Sequence, residues 1–310
     1  MSGWTRSAAG LAPALAGLLL ASVAAGVVIE AGDGSGNTSE PGDDPGFANV
    51  GIASNSLSGI YIGDRWVLTA HHVGEPPTFT FGGIPYATVT GSRTRLETSP
   101  GVGADLALIR LEQAPPLPAL EIATTGPAPN DVVTLIGNGR SREASRTCWN
   151  SSFTEVSCGM GPPPAYEGFV AAGVRVLRWG RNQVTVVGND ETIPGSGTSR
   201  VFETRFDESG IADECQVANG DSGGGAFLKR GTWELVGILI AQAPVSGLQP
   251  ANTAVFGSDT IAVDLAFYAD QIDAIVNPPL LIPAAPLTGV VLAAGAMLAI
   301  TTRVRLRPRT

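Results

Sequence analysis

The sequence predicts an all-β protein, barrels or a sandwich, with one α-helix near its end. Three observations carry that prediction. The 310 residues include 40 Gly and 23 Pro with only 6% aromatics, a composition of tight turns and short strands. Short apolar runs follow one another along the chain with turn residues between them. Only one stretch repeats its apolar residues at convincing helical spacing. With 44% hydrophobic and 15% charged residues, the chain is also far from the composition of disorder.

Taken in order, the first element is an address. Arg6 precedes an almost uninterrupted apolar run from Leu11 to Val28, and the small residues Ser22, Ala24 and Ala25 supply an A-x-A-like cleavage region. Residues 1–25 read as a secretory signal peptide cut after Ala24 or Ala25, with a retained membrane anchor as the alternative. Residues 26–45, rich in Gly, Ser, Asp and Pro after Ala31, read as a flexible acidic lead-in. Strand-like runs come next at 58–62 and 66–69, joined by Gly63-Asp64-Arg65 as a hairpin, then at 87–90 and 105–111. The Pro-rich stretch 113–118, with 124–130 after it, is the linker candidate, dividing a first β unit (46–126) from a second (127–277). The second unit offers strands at 132–136, 183–187, 201–206 and 234–240. Asp264 can then cap a helix in which Leu265, Tyr268, Ile272, Ile275 and Val276 share a face.

The last element, 278–310, is a second address. A Pro-containing spacer leads into an apolar stretch from Leu280 to Ile300, and Arg303, Arg305, Arg307 and Arg309 follow. About 20 apolar residues can span a bilayer, and a basic tail holds that end in the cytoplasm. The layout resembles bacterial C-terminal sorting signals of the PEP-CTERM kind, without their signature tripeptide. It implies a membrane stage ended by a sorting peptidase; a plain single-pass anchor is the other reading. The expected location is therefore outside the cytoplasm: periplasm, cell surface or medium, tethered at least transiently.

Charge excludes another class of partner. The first 25 and last 24 residues hold five of the 19 basic residues and none of the 28 acidic ones, so the part between is more acidic than the net −9 of the whole. Nucleic acid, which demands clustered positive charge, is not an expected partner. Cys148, Cys158 and Cys215 form no CxxC pair, and neither a His/Cys cluster nor a calcium loop is present, so no metal or other cofactor is expected. Cys148 and Cys158 could close a loop in an oxidising compartment or remain isolated thiols.

The chemistry-bearing residues are few. The only two histidines sit at the end of an apolar run in Leu68-Thr69-Ala70-His71-His72-Val73. Asp105 opens Asp105-Leu106-Ala107-Leu108-Ile109-Arg110-Leu111, and Gly220-Asp221-Ser222-Gly223-Gly224-Gly225 lies far downstream. A serine hydroxyl is a weak nucleophile until an imidazole takes its proton, and a carboxylate is needed to fix the tautomer of that imidazole. Gly220 and Ser222 can aim two backbone N–H groups at a developing oxyanion, each worth typically ~3–4 kcal/mol.

These three motifs, in the order His, Asp, Ser, resemble those of the chymotrypsin/trypsin family of serine proteases over roughly residues 46–276. The resemblance implies two six-stranded antiparallel β-barrels with the site between them, followed by a C-terminal helix. It assigns catalysis to His72 rather than His71, to Asp105 rather than Asp64 or Asp131, and to Ser222, with Gly220 and Ser222 as the oxyanion hole. The implied activity is that of an exported serine endopeptidase acting on protein or peptide substrates. A catalytically inactive binding module on the same fold, displayed at the cell surface, is the alternative, and an esterase is a third.

Two departures from the family pattern matter. No Ile/Val-Val-Gly-Gly tetrapeptide precedes the first β unit to supply an α-amino partner for Asp221, so Asp221 needs a different partner or a more open loop. For the specificity pocket, a gapless count places Gln216 at the base, whereas an insertion would bring in Asp213. Ile240, Ala241 and Gln242 are expected in the wall.

Overall fold

Turn chemistry organises the first β unit. Gly63 pairs with Trp66, which leaves Asp64 and Arg65 as a two-residue loop with both φ values positive (45° and 68°), the twist a tight hairpin needs. In the computed structural model, which describes residues 26–278, the strands run antiparallel in the order Ile84–Ala87, Thr78–Phe81, Val50–Ala53, Ser58–Gly63, Trp66–Thr69 and Val102–Arg110. A bridge between Thr88 and Leu111 joins the first of these to the last. So do hydrogen bonds from Val89 N to Arg110 O (2.8 Å) and from Glu112 N to Ala87 O (2.9 Å). Six strands thus make a ring, and a seventh, Thr94–Ser99, hangs from Val102–Arg110 as a hairpin partner.

The second β unit is a closed six-stranded barrel ordered Arg178–Ile193, Gly197–Arg205, Asp259–Asp264, Thr232–Ala243, Gly225–Arg230 and Val132–Gly137. Alternation along the strands sends side chains two ways. Leu135, Phe202, Val236, Leu239 and Ala262 fill one cluster of the second barrel. Ile136, Phe227, Ile238 and Val263 join Ile60, Leu68, Leu106 and Leu108 of the first unit in another. Each such burial contributes roughly 1.5–3 kcal/mol, so one apolar cluster welds the two units. The site's elements rest on that weld.

Beside the second barrel, Tyr166–Arg175 pairs with Arg140–Arg142, Thr147–Trp149 and Thr253–Val255. The loop at its edge is closed by a Cys148–Cys158 disulfide, while Cys215 is free and buried. The helix runs Leu265–Val276, with Asp264 Oδ1 accepting Ala266 N–H at 3.1 Å and Leu265, Tyr268 and Ile272 buried.

The expected flexible lead-in, 26–45, is instead held against the barrel. Val27, Val28 and Ile29 are buried, and Val28–Ile29 pairs antiparallel with Cys215–Gln216. The Arg142 guanidinium gathers the carbonyls of Ile29 (2.7 Å), Glu30 (2.9 Å) and Gly32 (2.8 Å). Further along, Trp179 donates its backbone N–H to Asn37 O and its ring N–H to Ser39 O. Composition misleads here because the anchoring groups are main-chain carbonyls, which every residue carries. The expected signal peptide and the apolar C-terminal stretch with its Arg tail lie outside the described residues. Among the described residues no helix is long and apolar enough to cross a membrane.

Candidate active site

His72 stands where the strand Trp66–Thr69 ends. The chain breaks into a short 3-10 turn at His71–Val73, and Thr69 Oγ1 ties the strand end to Ser58 O at 2.7 Å. In that turn the His72 backbone N–H donates to Asp105 Oδ1 (2.9 Å), and His72 Nδ1 meets Asp105 Oδ2 at 2.7 Å. A carboxylate can only accept, so Nδ1 carries a proton, and in the neutral ring the lone pair lies on Nε2. The ring is 29% exposed, whereas Asp105 is wholly buried. His71 turns elsewhere. Burial, with Arg95 and Arg93 nearby, holds its pKa below the usual histidine value, and its Nδ1 is buried without a partner.

Asp105 sits in Val102–Arg110, and its own backbone N–H donates to Ser199 Oγ of the second barrel at 2.8 Å. No motif of the sequence pointed to Ser199.

Ser222 lies in the turn that precedes Gly225–Arg230. Its carbonyl accepts Ser58 N–H (2.8 Å), and Gly223 N–H donates to Leu239 O (2.9 Å). Gly223 has φ +83°, and a Cβ there would lie 2.0 Å from Ser58 O, so only glycine fits. The peptide planes before Gly220 and Ser222 are oriented from behind. Asn219 O accepts Arg140 N–H (3.1 Å), and Asp221 O accepts Gly224 N–H (2.7 Å). A planar trans peptide points its N–H opposite to its carbonyl, which turns both amides away from those donors. Neither the Gly220 nor the Ser222 N–H has a protein acceptor among the described residues.

His72, Ser222 and Gly220 line one cavity of about 440 Å³. No hydrogen bond joins Ser222 Oγ to His72; such contacts often tighten only when substrate binds. Of the residues expected around the substrate, Ile240, Ala241 and Gln242 line this cavity, and Gln216 and Asp213 do not. Gln216 is buried with its amide donating to Asp259 O (3.2 Å) and Thr260 Oγ1 (3.3 Å). Asp213 accepts Asn37 Nδ2 at 3.0 Å. Among the described residues no Asp, Glu, Lys or Arg lines this cavity. Val28, Ala171, Val217, Ala218 and Ala254 are among its lining residues.

Asp221 meets neither an α-amino group nor an open loop. It is 1% exposed, and its carboxylate accepts backbone N–H groups from Gly139 (2.6 Å) and Ala218 (2.7 Å). Burial pushes its pKa up to about 7, against those two bonds and the fields of Arg178 and Arg175. Arg178, itself buried and pushed down to about 10 by burial, donates to Gly34 O and to Ser141 Oγ. Among the described residues no three or more His, Cys, Asp or Glu side chains gather as a metal site would require.

Comparison with known proteins identifies the family. Residues 57–238 match the family described as trypsin-like peptidase domain. No curated protein sequence matches the chain. Among solved structures the fold is similar to neuropsin, a serine protease of mouse brain, at 15% identity over 78% of this chain and 99% of that one (TM-score 0.49). It is similar to kallikrein-related peptidase 10 in complex with Zn²⁺ at 17% identity, covering 79% and 100% (TM-score 0.47). An HtrA-type protease, AlgW with a decapeptide, aligns at 16% identity over 72% of this chain and 52% of its own (TM-score 0.41).

Proposed function

The chain belongs to the trypsin-like peptidase family, and from that premise we propose that it is a serine endopeptidase working through an acyl-enzyme. Ser222 is the nucleophile, His72 the general base and then acid, and Asp105 the group that orients His72. One observation carries the reading: the His72 ring is fixed by Asp105 through Nδ1 and lines, with Ser222, a cavity where two backbone amides are uncommitted.

The steps follow from that arrangement. Nε2 of His72 takes the Ser222 proton as Oγ bonds to the substrate carbonyl carbon. The negative charge that develops on the carbonyl oxygen is met by the Gly220 and Ser222 amides, preorganised by the carbonyls behind them. The imidazolium, stabilised by the Asp105 carboxylate, returns its proton to the leaving amine, and the C–N bond breaks. Water, deprotonated by the same Nε2, then releases the acyl group and restores Ser222. No step calls for a metal.

Location belongs to the same proposal. The enzyme is exported by its N-terminal signal and held at a membrane through the apolar C-terminal stretch until a sorting peptidase removes it. The Cys148–Cys158 disulfide supports an oxidising compartment.

The test is labelling of the purified protein with a fluorophosphonate probe. Wild type should label and Ser222→Ala should not. Equal labelling of both would remove Ser222 from its role. Failure of folded wild type to label would leave the inactive binding module.

A further inference from the structure

One wall of the cavity comes from an unexpected part of the chain. Val28 lines it, 1% exposed, at the start of a two-residue strand that runs antiparallel to Cys215–Gln216. Alternation explains the placement. Val27 and Ile29 point into the second barrel's core cluster, so Val28 between them faces the other way, among Phe169, Phe206 and Ala254. Val28 pairs directly with Gln216, whose side chain is turned inward to Asp259 and Thr260.

We propose that the N-terminal strand is a working wall of the specificity pocket. Val28 limits its depth, and the pocket takes a small or medium aliphatic side chain on the acyl side of the scissile bond. This rests on the acyl-enzyme reading of the same cavity. Two further observations bear on it. Among the described residues the lining contains no Asp, Glu, Lys or Arg, and its only titratable side chain is His72. A charged substrate side chain would enter without a counter-charge, which burial penalises heavily. The strand is also clamped, because the Arg142 guanidinium holds the carbonyls that follow Val28 and stacks 3.8 Å over Phe169. Val28 is thus a fixed wall, and a chain trimmed beyond it would lack that wall.

The experiment compares kcat/KM for fluorogenic peptides that differ only in the acyl-side residue, Ala, Val, Leu, Phe or Arg. Fluorophosphonate labelling of Ser222 runs as a parallel readout. Wild type should favour Ala and Val over Phe and reject Arg. Val28→Ala should raise the Leu:Ala ratio by about tenfold, the usual effect of methylene-scale changes in an apolar pocket. Val28→Ile should lower it, and this variant serves should the Ala variant fail to label. Val27→Ala, on the opposite face, should leave the ratio unchanged. Preference for Arg in wild type would overturn the inference, as would an unmoved ratio in labelled Val28 variants or an equal shift with Val27→Ala. Absence of labelling in wild type would instead sink the catalytic proposal itself.

Discussion

Ser199 of the second barrel accepts the backbone N–H of Asp105 of the first at 2.8 Å. Asp105 also accepts both the ring Nδ1 and the main-chain N–H of His72. The Asp105 carboxylate is therefore positioned by both barrels at once, and the geometry of the proposed triad depends on how they are joined.

Ser199→Ala leaves the buried Asp105 N–H without a partner, which costs about 1–3 kcal/mol. It also loosens the strand that carries the carboxylate. Turnover should fall between about 10- and 100-fold, with KM nearly unchanged, since a small misplacement of a catalytic group is felt in the chemical step. Ser199→Thr, which retains the hydroxyl, should recover most of the rate. Steady-state kinetics on the two variants checks this, and loss in KM alone would contradict a positioning role.

Asp105→Asn presents an amide to the imidazole and forces the wrong tautomer on His72. A loss of ~10⁴-fold in kcat is expected, with the fold retained. Circular dichroism beside the kinetics separates that outcome from unfolding.

Gly223→Ala places a methyl group against Ser58 O, at a backbone conformation that side chains rarely adopt. The turn that carries Ser222 must shift, so both labelling and thermal stability should fall, the latter by at least about 1–3 kcal/mol. A variant with wild-type melting and labelling would contradict the tight contact described for Ser58.

Asp221 and Glu214 are buried carboxyls, each pushed up to about 7, chiefly by burial. Their native pKa lies above the unfolded value, so the native state binds more protons between the two. Stability from these groups is complete below the unfolded carboxylate range and is lost as pH rises to about 7. His71, with its pKa lowered, acts in the opposite sense below its ordinary value of 6.5, while Asp264 and Glu203, raised chiefly by burial, act with Asp221 and Glu214. Thermal midpoints should therefore drop between about pH 5 and about pH 8. Glu214→Gln, which cannot titrate, should show a shallower slope whatever its own midpoint. A flat profile in wild type would refute this account.

Much of the architecture was legible because period-2 patterns and turn residues are local signals. The hairpin at Asp64-Arg65 and the helix capped by Asp264 both occur where the residue pattern puts them. The strand expected at 87–90 is displaced to Ile84–Ala87, with Pro85 inside it. A proline that cannot donate argues against an interior strand position, yet here the ring closes just beyond it through Thr88 and Leu111. Tyr166–Arg175 went unread because it shows no clean alternation. At the site, His72, Asp105 and Ser222 could be named from motifs. Ser199, the two amides on Asp221 and Val28 could not, because a serine, a backbone N–H or a valine looks the same everywhere in a sequence.

By itself, the sequence determined the class of fold and singled out His72, Asp105 and Ser222 as candidates. Local pattern and side-chain chemistry suffice for that. Only the tertiary structure decided what surrounds them. It spent Gln216 on an internal hydrogen bond, gave Asp221 two main-chain amides for partners and turned an apparent lead-in into a pocket wall. Those choices depend on which distant backbone groups meet, and chain closure, not residue type, sets that.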